Sequence, residues 1–356
     1  MSNARELAQI PSTPSGRRNL IINGAMNVAQ RGTQTGHATG YTLDRWNVRT
    51  NGSARFTVSK DTDVPSGQGF GSSIKIDVTT ADTDAGTGDF GACRTILEGQ
   101  DVQSICKGSS NAKELTLSFW IKSTVTGTYT VELYDSDNAR QVSKSYTVNT
   151  SNTWEKKTIT FPADTTGSFN NDNGASLYLQ LGLAMGSDYA GGTLSTTWTA
   201  ANGPDRFAGQ VNAFSSTANN IYLTGVQLEV GSVATEFEHR SYGEELALCQ
   251  RYFQDLLGNT SESFGVVATG AFANSTSVRC VIHYTTAMRV IPSLIQSGSY
   301  EFSAGGLLSG SLSLTRASNV RGDLQGTSAT SQTGGHATTL RRKDDANAIL
   351  HLDAEL

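Results

Sequence analysis

Three aromatic side chains, Trp120, Tyr178 and Trp198, have the chemistry of recognition. A flat aromatic ring can stack on the apolar face of a sugar, while Asn, Asp or Arg beside it bonds the hydroxyls. Trp120 in LTLSFWIKS and Tyr178 in ASLYLQLGL are out of phase with the apolar residues of their own segments, so both are expected on the outer face of a strand. Trp198 stands in the polar loop TTWTAANGPDR. The competing reading is that these rings cover a second core layer or a subunit interface, which also enriches aromatics. Later in the chain, Tyr300, His336, Arg341 and Arg342 are candidate contacts in or near polar, glycine-rich loops.

Other chemistry is weaker. Asp82, Asp84 and Asp89 in DTDAGTGDF are hard oxygen donors and a weak Ca²⁺ candidate, without the spacing of an EF-hand; an acidic solvated loop is the competing reading. Glycoside cleavage needs two carboxylates about 5 to 9.5 Å apart in a cleft. None of Asp44, Glu98, Glu132 or Glu229 sits in a catalytic motif, and no Gly-x-Ser-x-Gly elbow is present, so no enzyme and no cofactor is expected. Cys93, Cys106, Cys249 and Cys280 form no C-x-x-C pair and read as small buried hydrophobes.

The elements that must position these residues are strands. Of 356 residues 37% are hydrophobic and 17% charged, with 37 glycines, a mix suited to short strands joined by many turns. Apolar residues alternate at Ala54–Val58, Ile74–Val78, Leu115–Ile121, Tyr129–Leu133, Tyr146–Val148, Ile159–Phe161, Leu177–Leu183 and within Ile221–Val230. This pattern predicts an all-β fold: a jelly-roll sandwich over 19–240, then a second C-terminal β domain over 259–356. Strands in that second domain are expected at Val278–Tyr284, Leu312–Leu314 and Leu350–Leu356, the last one ending the chain. No fixed-period repeat suggests a β-helix or propeller. A net charge of −5, with basic residues scattered, predicts no nucleic-acid partner, and no apolar run is long enough for membrane insertion or Sec-type export.

Between the two domains, 241–258 reads as a linker helix. Ser241 followed by Glu244 is a capping box, and Gly225 marks a bulge where the buried face of the preceding strand switches parity. Tyr242, Leu246, Cys249 and Phe253 form a narrow apolar seam, read as a candidate trimer interface. Residues 1–18 form an appendage: Ser2 can cap a helical turn over Asn3–Ile10 before Pro11 and Pro14 end it.

NLIINGAMNVAQRG with YTLDRW, and LTGVQLEVGSVATEFEHRSYGEELALCQRY, resemble bacteriophage tail fibre and receptor-binding fibre proteins of the marine and cyanobacterial phage type. SNAKELTLSFWIKSTVTGTYTVELYDSDNAR is similar to their jelly-roll domain, itself related to carbohydrate-binding modules. MSNARELA resembles a virion-anchoring start, and MRVIPSLI and ILHLDAEL resemble the end of the distal domain. The resemblance implies a homotrimeric fibre on the virion, assembled in the host cytoplasm. Residues 1–18 would hold other virion proteins, and the fibre would attach the phage to a host surface glycan. It supplies no fixed ligand residues. The alternatives are a structural capsid or tail decoration protein and a polysaccharide depolymerase.

Overall fold

The computed structural model describes residues 17–258, 262–304 and 306–356. The proposed helical turn over Asn3–Ile10, and most of the 1–18 segment, lie outside these residues. The chain divides into two units, one ending at Arg240 and one beginning at Ser241.

In the first unit the strands are β1 (Gln34–His37), β2 (Thr39–Tyr41), β3 (Asn47–Thr50), β4 (Arg55–Asp61), β5 (Ser73–Thr80), β6 (Phe90–Glu98) and β7 (Leu115–Ser123). They continue with β8 (Gly127–Asp135), β9 (Arg140–Val148), β10 (Glu155–Phe161), β11 (Ala175–Met185), β12 (Thr199–Ala200) and β13 (Asn220–Val230). A six-stranded sheet runs β1-β4-β5-β13-β7-β10, and a seven-stranded sheet runs β12-β9-β8-β11-β6-β3-β2. All pairings are antiparallel and successive strands repeatedly change sheet, the jelly-roll arrangement expected. One face of each sheet supplies Phe56, Ile76, Phe119, Leu133, Leu179 and Leu228 to a shared core.

The two most distinctive stretches of sequence bond to each other. Asn19 Oδ1 accepts from the backbone N–H of Ile21 at 2.9 Å and of Leu228 at 3.1 Å, while its Nδ2 donates to Val226 O at 3.1 Å. Asn23 Nδ2 donates to Val28 O at 2.8 Å and Asp44 O at 2.9 Å, and Trp46 Nε1 donates to Asn23 O at 3.0 Å. Gly24 packs so closely on β13 that a Cβ there would lie 2.1 Å from Val226 O. NLIING, LDRW and GVQLE are therefore a staple that closes the sandwich, with every amide spent on backbone.

The predicted bulge is present: between Thr224 and Gln227 the pairing of β13 with β7 shifts, and Gly225 takes φ +62°, a conformation that suits glycine.

The second unit opens with α2 (Tyr242–Gln250), α1 being a single turn at Ser187–Ala190 in the first. Both bonds of the capping box form: Ser241 Oγ accepts from Glu244 N at 3.3 Å, and Ser241 N donates to Glu244 Oε2 at 3.0 Å. The helix is shorter than 241–258, because Phe253 opens β14 (Phe253–Asp255). That strand pairs with β22 (Ile349–Asp353), which also pairs with β17 (Ser293–Ser297). Beyond this small sheet, β15 (Val266–Phe272), β16 (Ser277–His283), β20 (Arg321–Ser328), β19 (Gly306–Thr315), β18 (Tyr300–Phe302) and β21 (Ala337–Arg342) close a six-stranded barrel.

This geometry corrects the apolar seam. Cys249 is fully buried and Phe253 is 1% exposed, its ring 4.8 Å from that of His351, so both are core residues of their own unit. The helix ends before Phe253, which breaks the periodicity that placed it on the seam. Tyr242, at 59% exposure, and the half-buried Leu246 remain on the surface.

Candidate functional site

Two outer faces of the sandwich bring recognition chemistry together. On the six-stranded sheet, register places Trp120 of β7 between Lys156 of β10 and Thr224 of β13. Trp120 lines an open cavity of about 130 Å³ with Gln68, Phe70, Phe237 and His239. Gly225 is part of the floor, since a Cβ there would fall 2.6 Å from the Phe70 ring. The rings of this groove are packed on one another: Phe70 is 5.0 Å from Phe237 and 5.3 Å from His239, centroid to centroid. Aromatic stacking capacity is thus partly spent inside the groove.

The outer face of the seven-stranded sheet is different. Register aligns Asn47 of β3, Arg94 of β6, Gln180 of β11 and Glu132 of β8 in one row across four strands. Even-numbered residues of β11 point away from the core leucines 177, 179, 181 and 183, which puts Gln180 in this row and Tyr178 in the next. The Tyr178 ring lies 6.0 Å from that of Tyr134 on β8, in an edge-to-face arrangement, and the Arg94 guanidinium lies 5.4 Å from its centre.

At one end of the row the bonds are closed. Glu132 receives Arg206 at 2.8 and 2.7 Å through two nitrogens, and its Oε2 also accepts from Gln180 Nε2 at 2.8 Å. Burial works against the charge on Arg206, but the hydrogen bonds and charge of Glu132 outweigh it and raise its pKa further. At the other end the bonds are open. Asn47 Oδ1, Gln180 Oε1 and the Nε atoms of Arg49 and Arg94 are buried without a protein partner. Asn47 is 6% and Gln180 2% exposed. Burial, followed by the charge of Arg49, lowers the pKa of Arg94, Tyr41 and Tyr178 opposing the shift; no carboxylate offsets it. Buried polar atoms are ordinarily bonded, so a row of unpartnered ones, closed to solvent beside the half-buried Arg49, Arg94 and Tyr178, sets this face apart from the rest of the sandwich.

The sequence candidates divide accordingly. Trp120 and Tyr178 lie on outer faces as expected, but on opposite sheets. Trp198 packs against the core and donates Nε1 to Pro162 O at 2.9 Å, with Lys107 5.1 Å above its ring, so it is structural. Tyr300 is 3% exposed and its hydroxyl donates to Ile349 O, which removes it from any binding surface. Arg342 is 3% exposed and donates to Glu262 O at 3.1 Å. Arg341 is held by Glu301 at 2.6 Å, whereas His336 is exposed. Three of these candidates lie on the paired strands β18 and β21 and His336 just before β21, but Tyr300 and Arg342, which are cross-strand partners, point into the barrel, so the four do not share one exposed surface.

Asp82, Asp84 and Asp89 do not assemble a cation site; no group of three potential ligands occurs among the described residues. Asp82 accepts from Ser53 N at 3.0 Å and Asp89 from Gly86 N at 2.7 Å, shaping the loop instead. Asp44, Glu98, Glu132 and Glu229 are all buried, and each carries structural hydrogen bonds. Arg49, Arg94, Asn47 and Gln180 escaped the sequence reading. Only the parity of Gln180 with Tyr178 could have signalled any of them.

No protein-family model matches the chain, and no curated protein sequence matches it. Among solved structures, the enzymatically active domain of tailspike protein 4 from bacteriophage CBA120 covers 60% of this chain at 15% identity and TM-score 0.33; this chain spans only 21% of that one. A family 11 carbohydrate-binding module of a Clostridium thermocellum cellulase covers 59% at 14% identity and TM-score 0.28, with 98% of its own length matched. A cyclase from Fischerella sp. TAU covers 62% at 13% identity and TM-score 0.34, with 100% of its own length matched. At these TM-scores the likenesses carry no argument, and the architecture rests on the chain's own strand order.

Proposed function

We propose that this chain is a bacteriophage fibre subunit whose sandwich binds a host surface glycan on the outer face of the seven-stranded sheet. One observation carries the reading: Asn47 Oδ1, Gln180 Oε1 and Arg94 Nε are buried without protein partners, in one row, beside the half-buried ring of Tyr178. Sugar hydroxyls both donate and accept, so a saccharide on this face meets the half-buried guanidinium of Arg94 while stacking on Tyr178, beside the unpartnered amide oxygens buried in the row. The Trp120 groove is the lesser candidate: Phe70, Phe237 and His239 pack on one another, and none of its lining residues holds a buried polar atom without a partner.

The second unit supports assembly of copies. Of the ten large hydrophobic residues that are strongly exposed among the described residues, eight belong to it: Tyr242, Phe264, Val266, Val281, Ile291, Ile295, Leu307 and Val320. Assembly of three copies multiplies a weak glycan site through avidity, by about 10²–10⁴. Residues 1–18 are proposed to hold the fibre to other virion proteins. Purified protein added in excess should block adsorption of the phage that carries it; undiminished adsorption at saturating protein would remove the attachment role.

A further inference from the structure

The open row has a charge as well as a shape. Three arginines, Arg49, Arg94 and Arg206, cluster on this face, and the only carboxylate in the row, Glu132, is already bound on both oxygens by Arg206. Arg49 and Arg94 make no ion pair among the described residues; their guanidinium groups lie 5.2 Å from the Phe90 ring centre and 5.4 Å from the Tyr178 ring centre. Tyr41, across the strand pair from Asn47, contributes its phenol to the surroundings of Arg94. Two uncompensated guanidinium groups are therefore held half-buried beside aromatic rings, where solvent screening is reduced. A guanidinium matches the two oxygens of a carboxylate or sulfate in a fork.

We infer that the glycan bound on this face carries an oxyanion, a uronate-type carboxylate or a sulfate ester, which the half-buried Arg94 and Arg49 receive while Tyr178 stacks on the ring. This inference rests on the glycan-binding reading above and narrows it to one chemical class. Neutral saccharides would leave both cations uncompensated. The preference for an anionic sugar should weaken as salt screens it, although less than at a fully exposed site.

The test is titration of the full chain with tetragalacturonate, with its methyl ester, with sulfated lactose and with lactose. Each pair differs by the presence of the anion on a common sugar skeleton. The expected result is at least about tenfold tighter binding of one anionic ligand than of its neutral counterpart, a preference lost in Arg94→Gln and reduced in Arg49→Gln. Lys113→Gln, which removes an equal charge from an exposed position elsewhere, should leave the preference intact. Which pair shows the preference assigns carboxylate or sulfate. Equal affinity for charged and neutral members, with Arg94→Gln binding as the parent does, overturns the inference and leaves glycan binding standing. Absence of binding to all four overturns both. If Arg94→Gln does not fold, salt titration of the parent decides: a preference that is unchanged between low and high salt is not made by these arginines.

Discussion

The two units solve different problems with the same secondary structure. Among the described residues, the sandwich buries nearly all its large apolar residues, leaving only Val230 and Val233 strongly exposed, and keeps its unpartnered groups polar, in the row across β3, β6 and β11. The barrel unit, roughly half its length, leaves eight of its described large apolar residues on the surface. A surface of open hydrogen-bonding atoms invites a hydrated, hydroxyl-rich ligand, whereas an apolar surface invites another protein surface. Recognition in the first unit and assembly in the second is the division this contrast supports.

Substitutions can break the contrast, beginning with the largest effect. Lys107 Nζ is buried between Asp135 at 2.5 Å and Asp164 at 3.0 Å; Asp164 also pairs with Arg140, so Lys107→Ala leaves the buried Asp135 without a cation and should cost the sandwich about 3–5 kcal/mol. Hydrogen exchange followed in peptides from each unit should show the loss in the first only. A loss shared with the barrel would mean that the units do not respond independently. Asn23→Ala removes three backbone bonds of the staple and should cost about 1–3 kcal/mol, again confined to the first unit.

Acid should separate the units too. Burial opposes the charge on Glu155, but the hydrogen bonds of Lys157, Thr150 and Asn149 outweigh it and bring its pKa down from 4.5 to about 2. Asp164 is lowered likewise, by Arg140 and Lys107 against its burial. A carboxylate lowered in the folded state stabilises it above the unfolded pKa, and that contribution is lost as pH falls through the folded value. The sandwich should therefore lose stability as pH drops from about 4.5 towards about 2. In Glu155→Gln this part of the slope should flatten, and an unaltered acid profile would contradict the assignment. In the second unit, Ser241→Ala should cost about 1 kcal/mol by opening the capping box. Smallest in stability is Val281→Lys, at an exposed barrel position and expected to stay within about 0.5 kcal/mol. Its effect should be on solution mass: light scattering should show fewer copies per particle than the parent, and an unchanged mass would take Val281 out of the assembly surface.

Local signals in the sequence carried over well. The Ser241 capping box, the Gly225 bulge and the outward parity of Trp120 and Tyr178 each depend on residues within a few positions of one another. What was illegible depends on two-sided burial or on register. Strand β6, FGACRTILE, is buried on both faces, so it shows no alternation and no strand was expected there; its one half-buried residue is Arg94. In β20, RGDLQGTS, two inward positions are Gly322 and Gly326, packed under Leu314 and Leu308, so the barrel wall lacks a hydrophobic stripe. The row of Asn47, Arg94, Gln180 and Glu132 spans 134 residues of sequence and exists only once four strands are in register. Phe253 shows the converse error, in which helical spacing continued past the end of the helix into a residue that opens a strand, while Cys249, still on the helix, faces the core of its own unit.

The most direct test of the central claim compares Tyr178→Ala with Trp120→Ala in titrations of one bound glycan, with both variants shown to be folded. Tyr178→Ala should weaken binding about tenfold or more, while Trp120→Ala keeps the parent affinity within about twofold. Loss in Trp120→Ala with Tyr178→Ala unaffected would move the binding face to the six-stranded sheet and contradict the account.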